Sequence, residues 1–354
     1  PSCAILKLIT SDERPGIYMK KKKAHILPVC IIILFIVTAA GVLLYFRNRT
    51  QEAFLQLSEL SEASKEEKDI PIPVNPYFDL SVPTYITKLQ DTYFLVDCYH
   101  DEIIYSDSLD RELNEWEVMT DEINRGHTIA SDGVVYLTDD TENNRILVFE
   151  KEDGRFIHTQ TFSDIGIRPH YIVYDETSGY FYALSSMTGE LYVFSREKNS
   201  TRMGLKEVRS IEKLNGVYVR SFTIIGKEIY FVSGNSTIIR ARLKDLKILE
   251  EYPVSPEIAG MVQLTKIEDY YYITISTDVD FNQDYATFIR TKDLNSLASG
   301  GYEDIYDNFI GGGTPYYITS FDGHFYLTEH RIPGHSVWQF DVEENEIVNV
   351  VPIF

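Results

Sequence analysis

From Pro83 onward the chain is written in short alternating runs. Apolar and polar residues change places at every second position for several residues, then Gly, Asp, Asn or Ser breaks the run. A period of two turns one face of an extended segment toward a core and the other toward solvent, so these runs predict β-strands joined by tight turns. The stretches "PTYITKLQDTYFLVD", "GHTIASDGVVYLTDD", "PHYIVYDETSGYFYAL", "VRSFTIIGKEIYFVS", "GMVQLTKIEDYYYITIS" and "PYYITSFDGHFYLTE" each read as a strand, a turn and a second, aromatic-rich strand.

Five steps from Tyr85 to Tyr317 give about 46 residues per unit, the length of a four-stranded propeller blade with its loops. Material for two outer strands follows each hairpin, as in "NRILVFEKEDGRFIHTQTF" and "HSVWQFDVEENEIVNVVPIF". The expected fold class is therefore all-β, a six-bladed β-propeller over residues 82–354. The last unit is complete as written, so closure of the ring by a strand from "YFDLSV" is an open alternative and not a requirement.

The first part of the chain follows a different pattern. Lys20 to Lys23 precede an uncharged apolar run from Ile26 to Phe46, and Arg47 and Arg49 follow it. Such a run is long enough to cross a bilayer as one helix, and the lysine excess before it places the N-terminus in the cytoplasm and the remainder outside. A cleaved signal peptide is the weaker alternative, because the apolar run continues past the small residues of "TAAG". "QEAFLQLSELSEASKEEK", Gln51 to Lys68, predicts a short juxtamembrane helix that "IPIPVNP" ends. The expected organisation is a cytoplasmic tail (1–24), a transmembrane helix (25–46), a stalk and linker (47–81) and the propeller.

Composition narrows the picture further. Of the 354 residues 44% are hydrophobic, and Tyr 25 and Phe 19 against Trp 2 is a usage that suits strands. Beyond residue 69 the chain holds 23 Lys and Arg against 46 Asp and Glu, which excludes nucleic acid as a partner of the overall field. Cys3 and Cys30 fall in the tail and the span, leaving Cys98 alone in the exported part. A disulfide-free exported domain resting on a large core fits a bacterial cell surface.

The stretch "SDGVVYLTDDTENNRILVF", Ser131 to Phe149, resembles the NHL repeat of six-bladed propellers, whose second strand ends in Asp and whose Asn-Arg-Ile turn leads into the third. The match is specific in the second blade alone; "LSSMTGELYVF" and "VSGNSTIIRARL" in the next two lack the Asp and the Asn-Arg pair. The resemblance implies the architecture, and some NHL-type propellers are lyases with metal-bound histidines at the channel mouth.

In a propeller the start of each first strand shares one face with the loop joining strands two and three, so this mouth is the default site. Arg125 and His127 in "NRGHTIA" recur as Arg168 and His170 in "GIRPHYI", an offset of two that predicts both side chains on one side of a strand. Arg220 lies at the matching place of blade four, with Gln263, Tyr85, Thr314 and Tyr316 at the others. Within a domain of strong negative charge these residues predict a local cationic spot for a small anionic or saccharide ligand.

Two metal readings accompany this one. His127 and His170, with His330 or His335, would supply three zinc ligands and leave a position for water. Asp278, Asp280, Asn282 and Asp284 in "TDVDFNQDYATF" alternate as calcium-loop oxygens do, although Gln283 stands where an EF-hand has Gly and Ile289 where it has Glu. Three functions follow: a membrane-anchored, extracytoplasmic binding domain, a metal-assisted enzyme of lyase or lactonase type, or an envelope scaffold that uses the propeller for a protein partner. The first leads, since a complete catalytic set is not visible in the sequence.

Overall fold

The computed structural model of the protein describes residues 71–276, 286–310, 313–330, 332 and 334–354. Among these, 24 strands form six antiparallel four-stranded sheets, each made of four consecutive strands. The first strands of the six blades are Pro83–Leu89, Ile129–Ser131, Pro169–Asp175, Val219–Ile225, Met261–Ile267 and Thr314–Phe321. The fourth strand shrinks to Glu303–Asp304 in blade five and runs Glu346–Pro352 in blade six. The expected all-β, six-bladed propeller is therefore the observed fold.

Tight turns set the register within each blade. Phe321 pairs with His324 across Asp322 and Gly323, both at positive φ (52° and 85°), the two-residue hairpin that Asp-Gly favours. Gly166, at φ 56°, leads into blade three, where a Cβ would collide with the Ser185 hydroxyl.

The core is divided into six apolar clusters, one at each junction between neighbouring blades. Phe94, Tyr136 and Phe156 meet between blades one and two, and Ile273, Ile289 and Val232 between blades four and five. Burying one such ring or branched side chain contributes roughly 1.5–3 kcal/mol, so each junction is held chiefly by apolar packing.

A ring of buried hydroxyls reinforces the packing near the axis. Thr84 Oγ1 donates to His127 O (2.9 Å), Thr141 Oγ1 to Pro169 O (2.7 Å) and Ser186 Oγ to Val219 O (2.6 Å). Ser221 Oγ donates to Val262 O (2.7 Å), Thr274 Oγ1 to Tyr316 O (2.5 Å) and Thr328 Oγ1 to Thr84 O (2.8 Å). Every junction thus carries at least one side chain satisfying a backbone carbonyl of the next blade, where the ladder of either sheet cannot reach.

Among the described residues closure uses no exchanged strand. Blades six and one meet through Thr328, through Thr319 Oγ1 donating to Ile86 O (2.6 Å), and through the cluster of Ile86, Trp116, Tyr326 and Val337. The "YFDLSV" segment does not add a strand to blade six. Residues 73–75 instead lie along the outer strand of blade one, with Val118 N donating to Pro73 O and Asn75 N to Trp116 O, both 2.8 Å. Among the described residues no helix is long and apolar enough to cross a membrane. The expected transmembrane and juxtamembrane helices lie outside the described residues.

Candidate functional site

The loop chemistry of blade two shows how the mouth is built. Asp139, at the end of the second strand and fully buried, accepts from His127 N (2.8 Å), Thr128 N (2.9 Å), Thr128 Oγ1 (2.7 Å) and Thr141 Oγ1 (2.9 Å). Asp140 receives Asn124 N (2.7 Å), the Asn143 amide and the Arg145 guanidinium. In blade one Asp97 does the same for Ser81 N (2.7 Å) and Val82 N (2.8 Å). These carboxylates tie the lead-in of the first strand to the end of the second, and so fix the side chains that project from it.

At this mouth lies a cavity of about 310 Å³ lined by Val82, Thr84, Cys98, Tyr99, Arg125, His127, Glu142, Arg168, Tyr218, Arg220, Tyr316 and His330. Among the described residues, blades one, two, three, four and six line it. Of the residues expected at the mouth, Arg125, His127, Arg168, Arg220 and Tyr316 are brought together there.

Arg125 and Arg168 do not lie on the strand face expected for them. Both residues sit before their strands in the left-handed region, at φ 58° and 59°, and not in extended backbone. Each turn is held by a side-chain acceptor, Asp101 Oδ1 for Arg125 N (2.9 Å) and Asn144 Oδ1 for Arg168 N (2.8 Å). An offset of two therefore does not carry Arg and His onto one side of a strand; the turn aims the arginines separately. Arg168 pairs with Glu142 (2.6 Å), half in solvent. Arg125 lies 3.7 Å over the Tyr99 ring, and its buried Nη1 has no hydrogen-bond partner among the described residues. Arg220 is buried, donating from Nη1 to Gly260 O (3.1 Å) and Ser276 Oγ (3.3 Å).

His127 and His170 stack face to face, with 3.7 Å between ring centroids. His127 Nδ1 is 2.9 Å from Thr141 Oγ1 and 3.6 Å from Asp139 Oδ2, and its Nε2 is 3.8 Å from Cys98 Sγ. Burial disfavours the charged ring, but the neighbouring Cys98 sulfur and the Asp139 carboxylate outweigh it and carry His127 up to about 10. His170 is fully buried beneath the cavity. Its Nδ1 donates to Arg220 O (3.0 Å), so Nε2 accepts from Tyr218 OH (3.2 Å) and Tyr316 OH (3.4 Å). Burial, then His127, Arg220 and Arg168, hold it well below its ordinary range, and it is neutral.

Two of the expected residues serve the core instead. Gln263 links blade five to blades three and six, donating to Tyr171 OH (3.2 Å) and Ile318 O (3.1 Å) and accepting from Ile318 N (2.6 Å). Tyr85 packs edge-on against Tyr317, 6.1 Å between centroids. Alternation identifies the inward face of a first strand, but along that face only the residues nearest its start reach the mouth.

Among the described residues no group of three or more His, Cys, Asp or Glu side chains is arranged to hold a metal ion. Both nitrogens of His170 already have partners, and His335 lies against Trp338 (5.4 Å) away from His127. The expected calcium loop, Asp278, Asp280, Asn282 and Asp284, lies outside the described residues. Cys98, Tyr99, Glu142 and Tyr218 are wall residues that sequence reasoning passed over. A signal for Cys98 was present: it follows Asp97 as Asp140 follows Asp139, at the first position of the loop that faces the mouth.

No family model and no curated protein sequence matches the chain. Solved structures do match in fold. A provisionally assigned 6-phosphogluconolactonase of Bacteroides uniformis aligns at 15% identity with a TM-score of 0.54, over 78% of this chain and 84% of that one. Its counterpart from Bacteroides fragilis gives 14% identity and a TM-score of 0.55 over 75% and 82%. A streptogramin B lyase gives 16% identity and a TM-score of 0.52 over 78% and 85%. At such identities the shared property is the propeller itself.

Proposed function

We propose that the mouth of this propeller binds a small ligand bearing a carboxylate or phosphate, and that residues 26–46 anchor the domain to a membrane with the propeller outside the cytoplasm. The observation that carries the binding reading is the meeting of Arg125, Arg168 and Arg220 on one cavity of about 310 Å³ in a chain of net charge −21. A buried guanidinium nitrogen without an acceptor, as at Arg125, costs stability unless a ligand supplies one. Tyr99, Tyr218 and Tyr316 add ring faces and hydroxyls suited to an organic body attached to the anion. The anchor reading rests on the apolar run and its flanking lysines.

The test is a thermal-shift panel of inorganic phosphate, citrate, glucuronate and short peptides, followed by calorimetric titration of any that stabilises. Arg125→Ala is expected to weaken such a ligand by about 1.5–3 kcal/mol, and Arg125→Lys to restore only part, because a point charge replaces a planar fork. A panel without stabilising anions, or an anion bound equally by both variants, would overturn the reading.

A further inference from the structure

We propose that Cys98 is a nucleophile with His127 as its proton partner and Thr141 and Asp139 as positioning residues, so that the mouth acts on anionic carboxylic esters or thioesters. Four observations support it. Cys98 forms part of the cavity wall and has no disulfide partner among the described residues. Its Sγ is 3.8 Å from His127 Nε2, within reach of a sulfur hydrogen bond. On the far side of the ring Nδ1 is 2.9 Å from Thr141 Oγ1. The Thr141 hydroxyl has one proton and two acceptors before it, Asp139 Oδ2 at 2.9 Å and Pro169 O at 2.7 Å. Its oxygen must therefore accept from Nδ1–H, which directs Nε2 at the thiol.

A nucleophile, a base within reach and a third group orienting that base form the arrangement that activates a thiol. The neighbouring sulfur and the carboxylate behind Thr141 raise His127 despite its burial, and a protonated ring 3.8 Å from Sγ is placed to stabilise the thiolate that forms when the thiol gives up its proton. Guanidinium groups of the same cavity supply positive charge toward a tetrahedral oxyanion.

The reaction balances with water alone. Cys98 Sγ adds to the acyl carbon, a C–S bond forms, and collapse of the oxyanion breaks the bond to the leaving alkoxide or thiolate, which takes the proton from His127 Nε2. Water then gives a proton to Nε2 as its oxygen adds to the acyl carbon. The C–S bond breaks, leaving the thiolate beside the imidazolium and a carboxylic acid, which releases its proton to solvent as it departs as the carboxylate. Nothing is oxidised or reduced.

The substrate class rests on the anion-binding reading; the reactive thiol does not, and the experiment separates them. The full chain in detergent is treated with iodoacetamide, iodoacetate or p-nitrophenyl acetate, and the Cys98 peptide is followed by mass spectrometry. Iodoacetamide should label native Cys98 with a rate that varies less than about threefold between pH 6 and 9, whereas His127→Gln should react at least about tenfold more slowly at pH 6 and recover as pH rises. Thr141→Val should shift the profile in the same sense. p-Nitrophenyl acetate should leave an acetyl group on Cys98 and none in Cys98→Ser. Arg125→Ala should slow iodoacetate and spare iodoacetamide; equal effects on both would remove the anion site and leave the thiol. Labelling only after unfolding, or one shared profile for wild type and His127→Gln, would overturn the proposal. If His127→Gln does not fold, judged by near-ultraviolet circular dichroism, the wild-type profile and the acetyl transfer decide.

Discussion

The imidazoles of His127 and His170 lie 3.7 Å apart in a stack, yet their surroundings drive them to opposite charge states. His127 is raised to about 10 and His170 is held well below 6.5. Two cations in face contact would repel, so the neutrality of one is what allows the charge of the other. In a nitrogen-15 NMR titration His127 should remain protonated through neutral pH while His170 stays neutral well below the pH at which a free imidazole charges. Two rings titrating together near 6.5 would contradict the arrangement.

Asp139 collects four hydrogen bonds without exposure to solvent, three of them from His127 and Thr128 at the start of blade two. Asp139→Ala leaves those donors buried and unpaired. Urea unfolding should show a loss of about 3 kcal/mol or more. A loss below about 1 kcal/mol would mean the lead-in is held by packing alone.

Arg168 and Glu142 are each more than a third exposed along their side chains, so their ion pair is a weak contributor to folding. Arg168→Ala should change unfolding free energy by less than about 1 kcal/mol while lowering affinity for any anion that the thermal-shift panel identifies. A large stability loss with unchanged affinity would make Arg168 a structural partner.

Glu102 is buried at the start of the third strand of blade one, and burial, then the charges of Asp97 and Asp121, raise it from 4.5 to about 7. The unfolded chain releases this proton first, so stability is present below 4.5 and is lost as pH rises to about 7. Glu102→Gln removes that loss. Denaturation midpoints should show the variant more stable by roughly 2–3 kcal/mol at pH 8 and equal to wild type at pH 4. Equal stability at both pH values would refute it.

Thr328 donates to Thr84 O and accepts from Tyr317 N (3.1 Å), both within the axis at the blade six to blade one junction. Thr328→Val keeps the volume and removes both bonds. The expected cost is about 1–2 kcal/mol, read from urea midpoints, with a similar cost for Ser186→Ala at the blade three to blade four junction.

The propeller was legible because a two-residue alternation broken by Asp and Gly turns repeats six times, and nothing in the fold opposes that local signal. The mouth was partly legible. Arg125 and Arg168 were found by position, but their left-handed backbone depends on Asp101 and Asn144 from the preceding blade's loop, contacts that no spacing within "NRGH" or "IRPH" records. Gln263 and Tyr85 were misplaced because period two gives a face and not a depth along the axis. The Asp and Asn-Arg of the NHL-like stretch have visible work in blade two: Asp139 and Asp140 fasten the lead-in, and Asn144 orients Arg168.

Closure without an exchanged strand also bears on how the chain folds as it is synthesised. Each blade is contiguous in sequence, so its four strands can pair as soon as they have left the ribosome, without waiting for a distant segment. Each added blade then finds the preceding one already formed and docks on it, a sequence of mostly local steps. The junction that closes the ring, where Thr328 reaches Thr84 across 244 positions, must await the last blade, as must the contacts of Tyr316 and Tyr317 with His170 and Arg220. Until that moment blade one presents an uncovered apolar face around Ile86 and Trp116, and the interval before closure is when a nascent chain is most exposed to aggregation.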